Sequence, residues 1–215
     1  MISILMPIYN GIEFINDAVE SILLQTYKDW ELIIGINGHP PGSDVYKMAN
    51  VYAGEKIRVI EYPTKGKSNT LNAMIPDATY DHIALLDVDD AWLPTKLEKQ
   101  MPYIEKYDVI GTHCRYFGEL SVVPKIQLGE IDNEQFKTTN MIINSSCLLH
   151  KSLCHWNGYW DSVEDYELWL KLASQNKQFY NVPEILVKHR IHRESAFNSC
   201  IKQNALLKQL RKKYS

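Results

Sequence analysis

The first hundred residues alternate between short apolar runs and stripes of apolar residues at helical spacing. Apolar runs at residues 2–8 and 30–36 predict buried strands, and residues 57–62 and 82–86 predict a third and a fourth strand. Between these runs, helical stripes begin near Ile12, span residues 44–53 and 68–75, and resume at a helix whose first turn holds Pro94.

Strand–helix alternation at this spacing favours an α/β fold with a mainly parallel central sheet flanked by helices. Ligands of such sheets bind beyond the carboxyl ends of the strands. Those ends are Tyr9-Asn10, Asn37-Gly38 and the acidic residues 87–90. The most polar turns of this half therefore fall on one rim of the predicted sheet.

The second half of the chain is less regular. Residues 141–149 and 185–191 predict strands, residues 165–173 predict a helix, and a last helix is expected from Ala196 to the end. No repeat, low-complexity tract or linker interrupts the chain. We therefore expect residues 1–215 to form a single domain.

Composition and charge argue against several classes of protein. The chain has 215 residues, with 23 Lys+Arg against 26 Asp+Glu and a formal net charge of −3. Proteins that track a nucleic-acid backbone carry a basic excess, so nucleic acid is not an expected partner. No apolar run approaches the roughly 20 residues of a membrane-spanning helix, and no basic region precedes the apolar start as in a secretory signal. We expect a cytoplasmic protein.

The cysteines carry no recognisable metal or redox pattern. Cys114, Cys147, Cys154 and Cys200 match neither a zinc-ligand spacing nor a C-x-x-C motif. A disulfide framework is not expected in a chain with enough apolar residues for a core. We interpret the four residues as small buried thiols.

Three carboxylates, those of Asp87, Asp89 and Asp90, follow the fourth predicted strand. Carboxylates this close repel one another, so the segment gains most when a cation is present. One or two carboxylates together with substrate phosphates commonly hold Mg²⁺ or Mn²⁺. A solvated acidic loop that caps the next helix is the alternative, and the position at a strand end favours the cation.

Two later segments also carry candidate chemistry. Asp165 begins an amphipathic helix, where a carboxylate is either an N-cap or, if it faces the rim of the sheet, a general base. Alternation along residues 189–193 puts Arg190 and His192 on one face, as a cation and an imidazole suited to a diphosphate or a metal. A solvated basic edge strand is the alternative there.

Lys65-Gly66-Lys67-Ser68 is not a P-loop. That motif needs a glycine five residues before its Gly-Lys-Ser, and Glu61 stands at that position. The interpretation that remains is a loop whose Lys67 approaches a phosphate as a point charge, with a helix behind it.

Taken in order, these segments resemble the inverting nucleotide-sugar-dependent glycosyltransferases of family 2, which have the Rossmann-like A-type fold. The matching segments are residues 3–11, 21–34, 66–72, 87–90, 164–170 and 190–192. Asp87-Val88-Asp89 matches the family's D-x-D motif, and Arg190-Ile191-His192 resembles its terminal arginine–histidine signature. Each match is weak alone, but their order from Ile4 to about Ser195 is specific.

The resemblance implies a role for each matching residue. Asp165 becomes the catalytic base, Asp89 the principal ligand of Mn²⁺ or Mg²⁺, and His192 a further ligand or a diphosphate contact. The implied donor-site residues are Tyr9, which stacks on the nucleobase, Asp87 on the ribose side, and Pro7, Asn37, Lys67, Asn72 and Arg190. By this resemblance, residues 1–112 bind the nucleotide sugar, residues 113–195 hold the acceptor and the base, and residues 196–215 form a basic helix.

One position departs from the family pattern. The second strand usually ends in two acidic residues, of which the latter reads the base, whereas this chain has Ile36-Asn37. An amide both donates and accepts hydrogen bonds, so the charge-assisted bond to a uracil ring N–H is lost. UDP-sugars are the expected donors, and GDP- and dTDP-sugars stay open.

The implied reaction is metal-assisted single displacement onto the hydroxyl of a glycan, glycoside or lipid-linked acceptor. The alternatives are a non-catalytic nucleotide-sugar-binding module and a nucleotidyltransferase, although the latter normally has a glycine-rich basic N-terminal loop that this chain lacks.

Two features of the second half have two interpretations each. The basic C-terminal helix either packs on the body of the protein or lies peripherally on an anionic membrane. Trp156, Tyr159 and Trp160 either stack on a sugar ring or belong to the core.

Overall fold

One mixed sheet runs through both halves of the chain. The computed structural model describes residues 1–192 and 200–214. The strands are β1 (Ile2–Ile8), β2 (Trp30–Asn37), β3 (Ile57–Tyr62), β4 (His82–Leu85), β5 (Ala91–Trp92), β6 (Val109–Gly118), β7 (Gly129–Ile131), β8 (Leu148–His150) and β9 (Phe179–Ile191). Their order in the sheet is β3-β2-β1-β4-β8-β6-β9-β5, and β7 pairs with β9.

The central strands are mostly parallel, so the expected α/β fold is confirmed. β1 pairs in parallel with β2 and β4, β2 with β3, and β6 with β9. β8 lies antiparallel between β4 and β6, which leaves β6 and β9 running in the direction of β4. The carboxyl ends of all these parallel strands therefore share one edge, and the order reverses between β1 and β4, where ligands of open α/β sheets bind.

Helices cover both faces of the sheet. They are α1 (Ile15–Leu23), α2 (Asp44–Asn50), α3 (Lys67–Met74), α4 (Lys96–Gln100), α5 (Glu164–Ser174) and α6 (Cys200–Lys213). Buried residues of α1, α2 and α4 join one core, and those of α3, α5 and α6 join the other. Alternate side chains of β1 enter opposite cores: Ile4 packs on one side and Leu5 on the other.

Three predicted elements are wrong in position. The strand expected at 141–149 is a loop and short turn up to Cys147, and only its last residues pair as β8. Ile142 and Cys147 are fully buried, which gives an irregular segment the apolar pattern of a strand. Pro94 does not lie in the first turn of a helix, since α4 starts at Lys96. The Pro94 carbonyl accepts the Thr26 N–H instead.

The third correction concerns β9, which is longer than the predicted 185–191. Its pairing partner β6 is not predicted at all. The pairing of the two strands shifts register between Thr112 and Cys114. Such a shift breaks the period-two alternation that identifies a strand in sequence.

The C-terminal helix α6 packs on the body of the protein, as in the first of its two interpretations. Leu210 is fully buried, and Leu206 and Leu207 pack against the same core. Lys213 and Tyr214 both donate hydrogen bonds to Oε1 of the buried Glu167. Residues 196–199, where the helix was expected to start, lie outside the described residues.

Two further observations bear on expectations from composition. Within residues 1–192 and 200–214, no helix combines the length and apolar character needed to cross a bilayer. Cys114, Cys147 and Cys154 are buried free thiols, and the side chain of Cys200 lies outside the described part.

Candidate active site

Lys67 lies between carboxylates supplied by two other elements. Its Nζ is 2.6 Å from Oδ1 of Asp87, which follows β4, and 3.5 Å from Oε1 of Glu164, the first residue of α5. Burial opposes ionisation of Asp87, but Lys67 and then the Asn144 amide outweigh it and lower the pKa of that carboxyl. Burial also opposes the charge on Lys67, yet Asp87 and Glu164 raise its pKa, so the ammonium stays protonated.

Asp165 belongs to the same charged cluster. Its Oδ2 accepts a hydrogen bond from Asn140 Nδ2 at 2.9 Å, and its Oδ1 accepts the Tyr166 N–H at 2.7 Å. Burial raises the pKa of Asp165, and the nearby negative charge of Asp87 adds to the rise against the opposing effect of Lys67. A carboxylate with a raised pKa is a better proton acceptor near neutral pH.

Asp89 and His192 meet at the carboxyl ends of β4 and β9. Oδ2 of Asp89 is 3.0 Å from Nε2 of His192. Burial and the negative charges of Asp90 and Asp87 raise the pKa of Asp89, and the hydrogen bond with His192 and the charge of Lys67 offset this rise only in part. In the described ranges, no group of three or more His, Cys, Asp or Glu side chains could hold a metal by itself.

This pair nevertheless fits a shared divalent ion. A carboxylate and an imidazole suit Mn²⁺, and Mg²⁺ usually takes only one or two carboxylates, with substrate phosphates and water as the other ligands. A cation beside Asp89 would also compensate the like charges that raise its pKa.

Asp90 ties the acidic loop to β9. Its fully buried carboxylate accepts hydrogen bonds from Ser145 Oγ through Oδ2 and from the Arg190 N–H through Oδ1, at 2.8 Å for the latter. His189 Nδ1 lies 2.9 Å from Oδ2, and despite burial the Asp90 charge raises the pKa of His189 to about 9. The sequence marked Asp90 only as one of three acids, with no sign of this role.

Arg190 is held by both charge and aromatic rings. Its guanidinium lies 4.4 Å from the ring centres of Phe14 and Phe117 and donates to Oδ2 of Asp17 at 2.7 Å. Its Nε donates to the Asp89 carbonyl at 2.9 Å. The predicted donor-site residue thus lies beside the candidate metal ligands and also joins β9 to α1.

The residues expected at the nucleobase gather at the ends of β1 and β2. Tyr9 is 56% exposed, and its ring centre is 5.3 Å from that of His39, whose Nε2 lies 2.6 Å from the Tyr9 carbonyl oxygen. Gly38 has φ +71°, and a Cβ there would come within 3.3 Å of the Tyr9 ring. Asn37 is buried, and its amide has no hydrogen-bond partner among the described residues.

Two other predicted donor residues have structural contacts. The side-chain oxygen of Asn72 accepts the Trp156 N–H at 3.0 Å, and its Nδ2 donates to the Trp156 carbonyl at 2.7 Å. These bonds hold the segment around Trp156 on α3. Pro7 is half-buried within β1, opposite Gly35 of β2.

A model of glycosyl transferase family 2 matches residues 3–155 of the chain. The chain belongs to this family. Among its relatives, EpsE of Bacillus subtilis is 32% identical over 88% of this chain and 72% of its own length. The O-antigen biosynthesis glycosyltransferase WbnJ of Escherichia coli is 29% identical over 94% of this chain and 84% of its own.

Solved structures show that this family 2 chain has the A-type fold. S. aureus TarS residues 1–349 in complex with UDP-GlcNAc superpose with a TM-score of 0.79 and 14% identity, over 97% of this chain. Mannosyltransferase PcManGT of Pyrobaculum calidifontis, in complex with GDP-Man and Mn²⁺, gives a TM-score of 0.69 with 13% identity over 91% of this chain. The chain spans 65% and 58% of the length of those two structures.

Sequence reasoning missed several residues of this family 2 site. Asn144 and Ser145 come from the loop that was expected to be a strand, and Asn140 comes directly before it; Asn140, Asn144 and Ser145 bind Asp165, Asp87 and Asp90, respectively. Asp161 accepts the Ser68 N–H at 3.0 Å, and a Cβ on Gly66 would lie 2.1 Å from Asp161 Oδ2. The polar run within 140–146 was the available signal, because it interrupts an apolar segment.

The aromatic residues of the second half divide between core and surface. Trp156 and Trp160 are buried and belong to the core, whereas Tyr159 is exposed. Of the three, only Tyr159 keeps an accessible ring for a ligand.

Proposed function

We propose that this family 2 glycosyltransferase moves a sugar from a nucleoside-diphosphate sugar to an acceptor hydroxyl in a single, inverting displacement. The observation that supports the proposal is the charged cluster around Lys67, which forms ion pairs with Asp87 and Glu164 and whose charge also acts on Asp165. The pKa of Asp165 is raised. These aspartates are distant in sequence, and the relatives and solved structures of the family supply the chemical context.

In this mechanism, Asp165 takes the proton of the acceptor hydroxyl while that oxygen attacks the anomeric carbon. The oxygen attacks from the face opposite the diphosphate, and the bond between the anomeric carbon and the diphosphate oxygen breaks. The configuration at that carbon therefore inverts. Asn140 orients the carboxylate through its hydrogen bond to Oδ2. A placed carboxylate base typically contributes about 10²- to 10⁴-fold to the rate.

Residues at the same edge of the sheet would stabilise the negative charge that develops on the leaving diphosphate. Lys67 and Arg190 offer fixed positive charges to the phosphate oxygens. Asp89 and His192 would hold the divalent cation, which supplies Lewis-acid stabilisation of the leaving group when bound. Tyr9 would stack on the base, and Asn37 offers both a donor and an acceptor to its edge.

The donor and the acceptor are proposed from the ligands and substrates of similar proteins. UDP-sugars are the proposed donors and GDP-sugars the second choice, since TarS was solved with UDP-GlcNAc and PcManGT with GDP-Man. WfaP of Escherichia coli, 27% identical over 98% of this chain, is named for glucosyl transfer to α-D-GlcNAc-diphosphoundecaprenol. We therefore propose a lipid-linked glycan as the acceptor.

The decisive variant is Asp165→Asn, which keeps the side-chain volume and removes the base. A thermal-shift panel of UDP-, GDP- and dTDP-sugars, with and without Mn²⁺, first identifies the donor, because a ligand of the folded state raises the melting temperature. Asp165→Asn should keep that shift and lose about 100-fold or more in turnover. Asp44→Asn, at a side chain that is 91% exposed, is the matched control.

The raised pKa of Asp165 adds a second readout. Activity should fall as the pH drops through that pKa, which lies above the ordinary 3.8 of an aspartate. Full turnover in Asp165→Asn would remove the base assignment. Donor binding without turnover in the unmodified protein would support a binding module instead.

A further inference from the structure

Exposed aliphatic side chains cluster in the loop that joins β6 to β7. In residues 119–128, called the β6–β7 loop below, Leu120, Val122 and Val123 are 40–43% exposed and lie in its first half, near the end of β6. Leu128, at 38%, lies apart from them beside the start of β9. Single exposed apolar residues are common on protein surfaces, but a contiguous group marks an interaction surface.

The fold holds this loop in place. The chain reverses at Gly118, which has φ +95° and whose Cβ, if present, would lie 2.5 Å from the Ile191 carbonyl oxygen. The Val122 carbonyl accepts the Tyr116 N–H at 2.8 Å, and the Gln127 carbonyl accepts from Asn181 Nδ2 at 2.9 Å. The aliphatic side chains therefore face solvent from an anchored backbone.

Cations that form no salt bridge within the described part of the chain border these side chains. Arg115 of β6 and Lys188 of β9 are neighbours in register, both exposed, and Lys125 lies within the loop. None of the three forms a salt bridge with an acid among residues 1–192 and 200–214. Like charges on adjacent strands are destabilising, so an anionic partner would compensate this pair.

The first half of the loop lies at the same edge of the sheet as the candidate active site, and its last residues return to Asn181 near the start of β9. The Glu119 N–H donates to the Ile191 carbonyl at 2.9 Å, one residue before His192. Phe117, just before the reversal at Gly118, stacks on Arg190. A surface bound by the loop is therefore close to the mouth of the site.

From this combination we propose that the β6–β7 loop docks the protein on an anionic bilayer. Val122, Val123 and their aliphatic neighbours enter the boundary between headgroups and acyl chains, while Arg115, Lys125 and Lys188 meet anionic headgroups. The inference rests on the proposed function, because the reacting end of a lipid-linked acceptor is held at the bilayer surface. It also assigns docking to this loop instead of the basic helix α6.

The test is sedimentation of the full chain with vesicles, without nucleotide. The protein should bind phosphatidylethanolamine–phosphatidylglycerol vesicles and not phosphatidylcholine vesicles. Val122→Glu/Val123→Glu should weaken binding tenfold or more. Arg115→Gln/Lys188→Gln should weaken it by about fivefold per cation and reduce its salt dependence. The matched control is Val51→Glu, a 76% exposed valine that lies outside the loop, and it should bind as the unmodified protein does.

Three results would overturn the proposal. The first is unchanged vesicle binding by the double glutamate variant. The second is loss of binding in Lys208→Gln/Lys212→Gln, on the exposed face of α6, together with normal binding by the loop variants. The third is a dimer in sedimentation velocity that the double glutamate variant dissociates, since the loop would then contact a second copy of the chain.

Failure of docking is separable from failure of the proposed function. The donor-induced thermal shift and turnover on a soluble acceptor should be unchanged in the loop variants. Vesicle binding in a protein with no donor binding would refute the transferase proposal, whereas turnover without vesicle binding would refute docking.

Discussion

Replacing Lys67 with methionine would leave Asp87 and Glu164 without the cation that lies between them. The side chains of Lys67, Asp87 and Glu164 are 32%, 22% and 8% exposed. Exposed ion pairs contribute up to about 1 kcal/mol, and breaking a fully buried pair costs about 3–5 kcal/mol. For this intermediate exposure we expect Lys67→Met to lower the free energy of unfolding by about 2–4 kcal/mol at pH 7.

The loss should depend on pH in a defined direction. Without Lys67, burial and mutual repulsion raise the pKa values of the remaining carboxyls, so the folded variant binds protons more tightly than the unfolded chain. In the unmodified protein the Asp87 pKa is lowered, which makes its contribution fall on acidification. The difference between the two proteins should therefore shrink from about pH 7 to about pH 5.

Urea unfolding at both pH values measures this effect. Lys67→Met/Glu164→Gln, which removes a buried charge as well, should recover about 1 kcal/mol or more relative to the single variant. Lys65→Met, at an exposed lysine two residues away, is the matched control and should change stability by less than about 0.5 kcal/mol. A loss for Lys67→Met that is below 0.5 kcal/mol, or that is the same at both pH values, would refute the reasoning.

Three more predictions concern the base, the Asp90–His189 pair and α6. Asn37→Asp should bind UDP about fivefold more tightly in calorimetry, because a charged acceptor strengthens a hydrogen bond to the uracil N–H by about 1 kcal/mol. The pKa of His189 rises from 6.5 to about 9, so its pairing with Asp90 stabilises the fold below pH 6.5. That contribution, up to about 3 kcal/mol, should be lost as the pH rises to 9 and should be absent in His189→Gln. Leu210→Ala should lower the free energy of unfolding by about 2–5 kcal/mol, since it opens a cavity beneath α6.

Each of these three has an outcome that contradicts it. Weaker UDP binding in Asn37→Asp would mean that the amide also donates to the base. An unchanged pH dependence of stability in His189→Gln would show that the charged Asp90–His189 pair does not stabilise the fold. A cost near zero for Leu210→Ala would mean that α6 leaves the body of the protein in solution.

Local pattern was enough to predict the first half of the fold. β1, β2, β3 and β4 lie where the sequence pattern places them. β1 and β2 are buried along nearly their whole length, and a strand buried on both faces is apolar at nearly every position. The acidic run after β4 was recognisable because it follows a buried strand directly, although the structural contacts of Asp90 were not.

Local pattern failed where side chains bind partners far along the chain. The segment 141–147 resembles a strand because its apolar residues are buried, although its polar residues turn to reach Asp87 and Asp90. β6 and β9 shift register against each other, which hides their alternation. Arg190 donates a hydrogen bond to Asp17, which lies 173 positions away in the sequence. The pattern of a short segment cannot predict such a contact.

The sequence alone determined which chemical groups are present and which strand ends carry them, since both follow from residue type and short-range periodicity. Only the tertiary structure decided which charges meet. Lys67 pairs with Asp87 and Glu164, and Asn140 orients Asp165. Asp90 accepts the Arg190 N–H and so binds the end of β9. The energy of a charge depends on its distance from other charges and on its exposure to water, and both are properties of the folded chain.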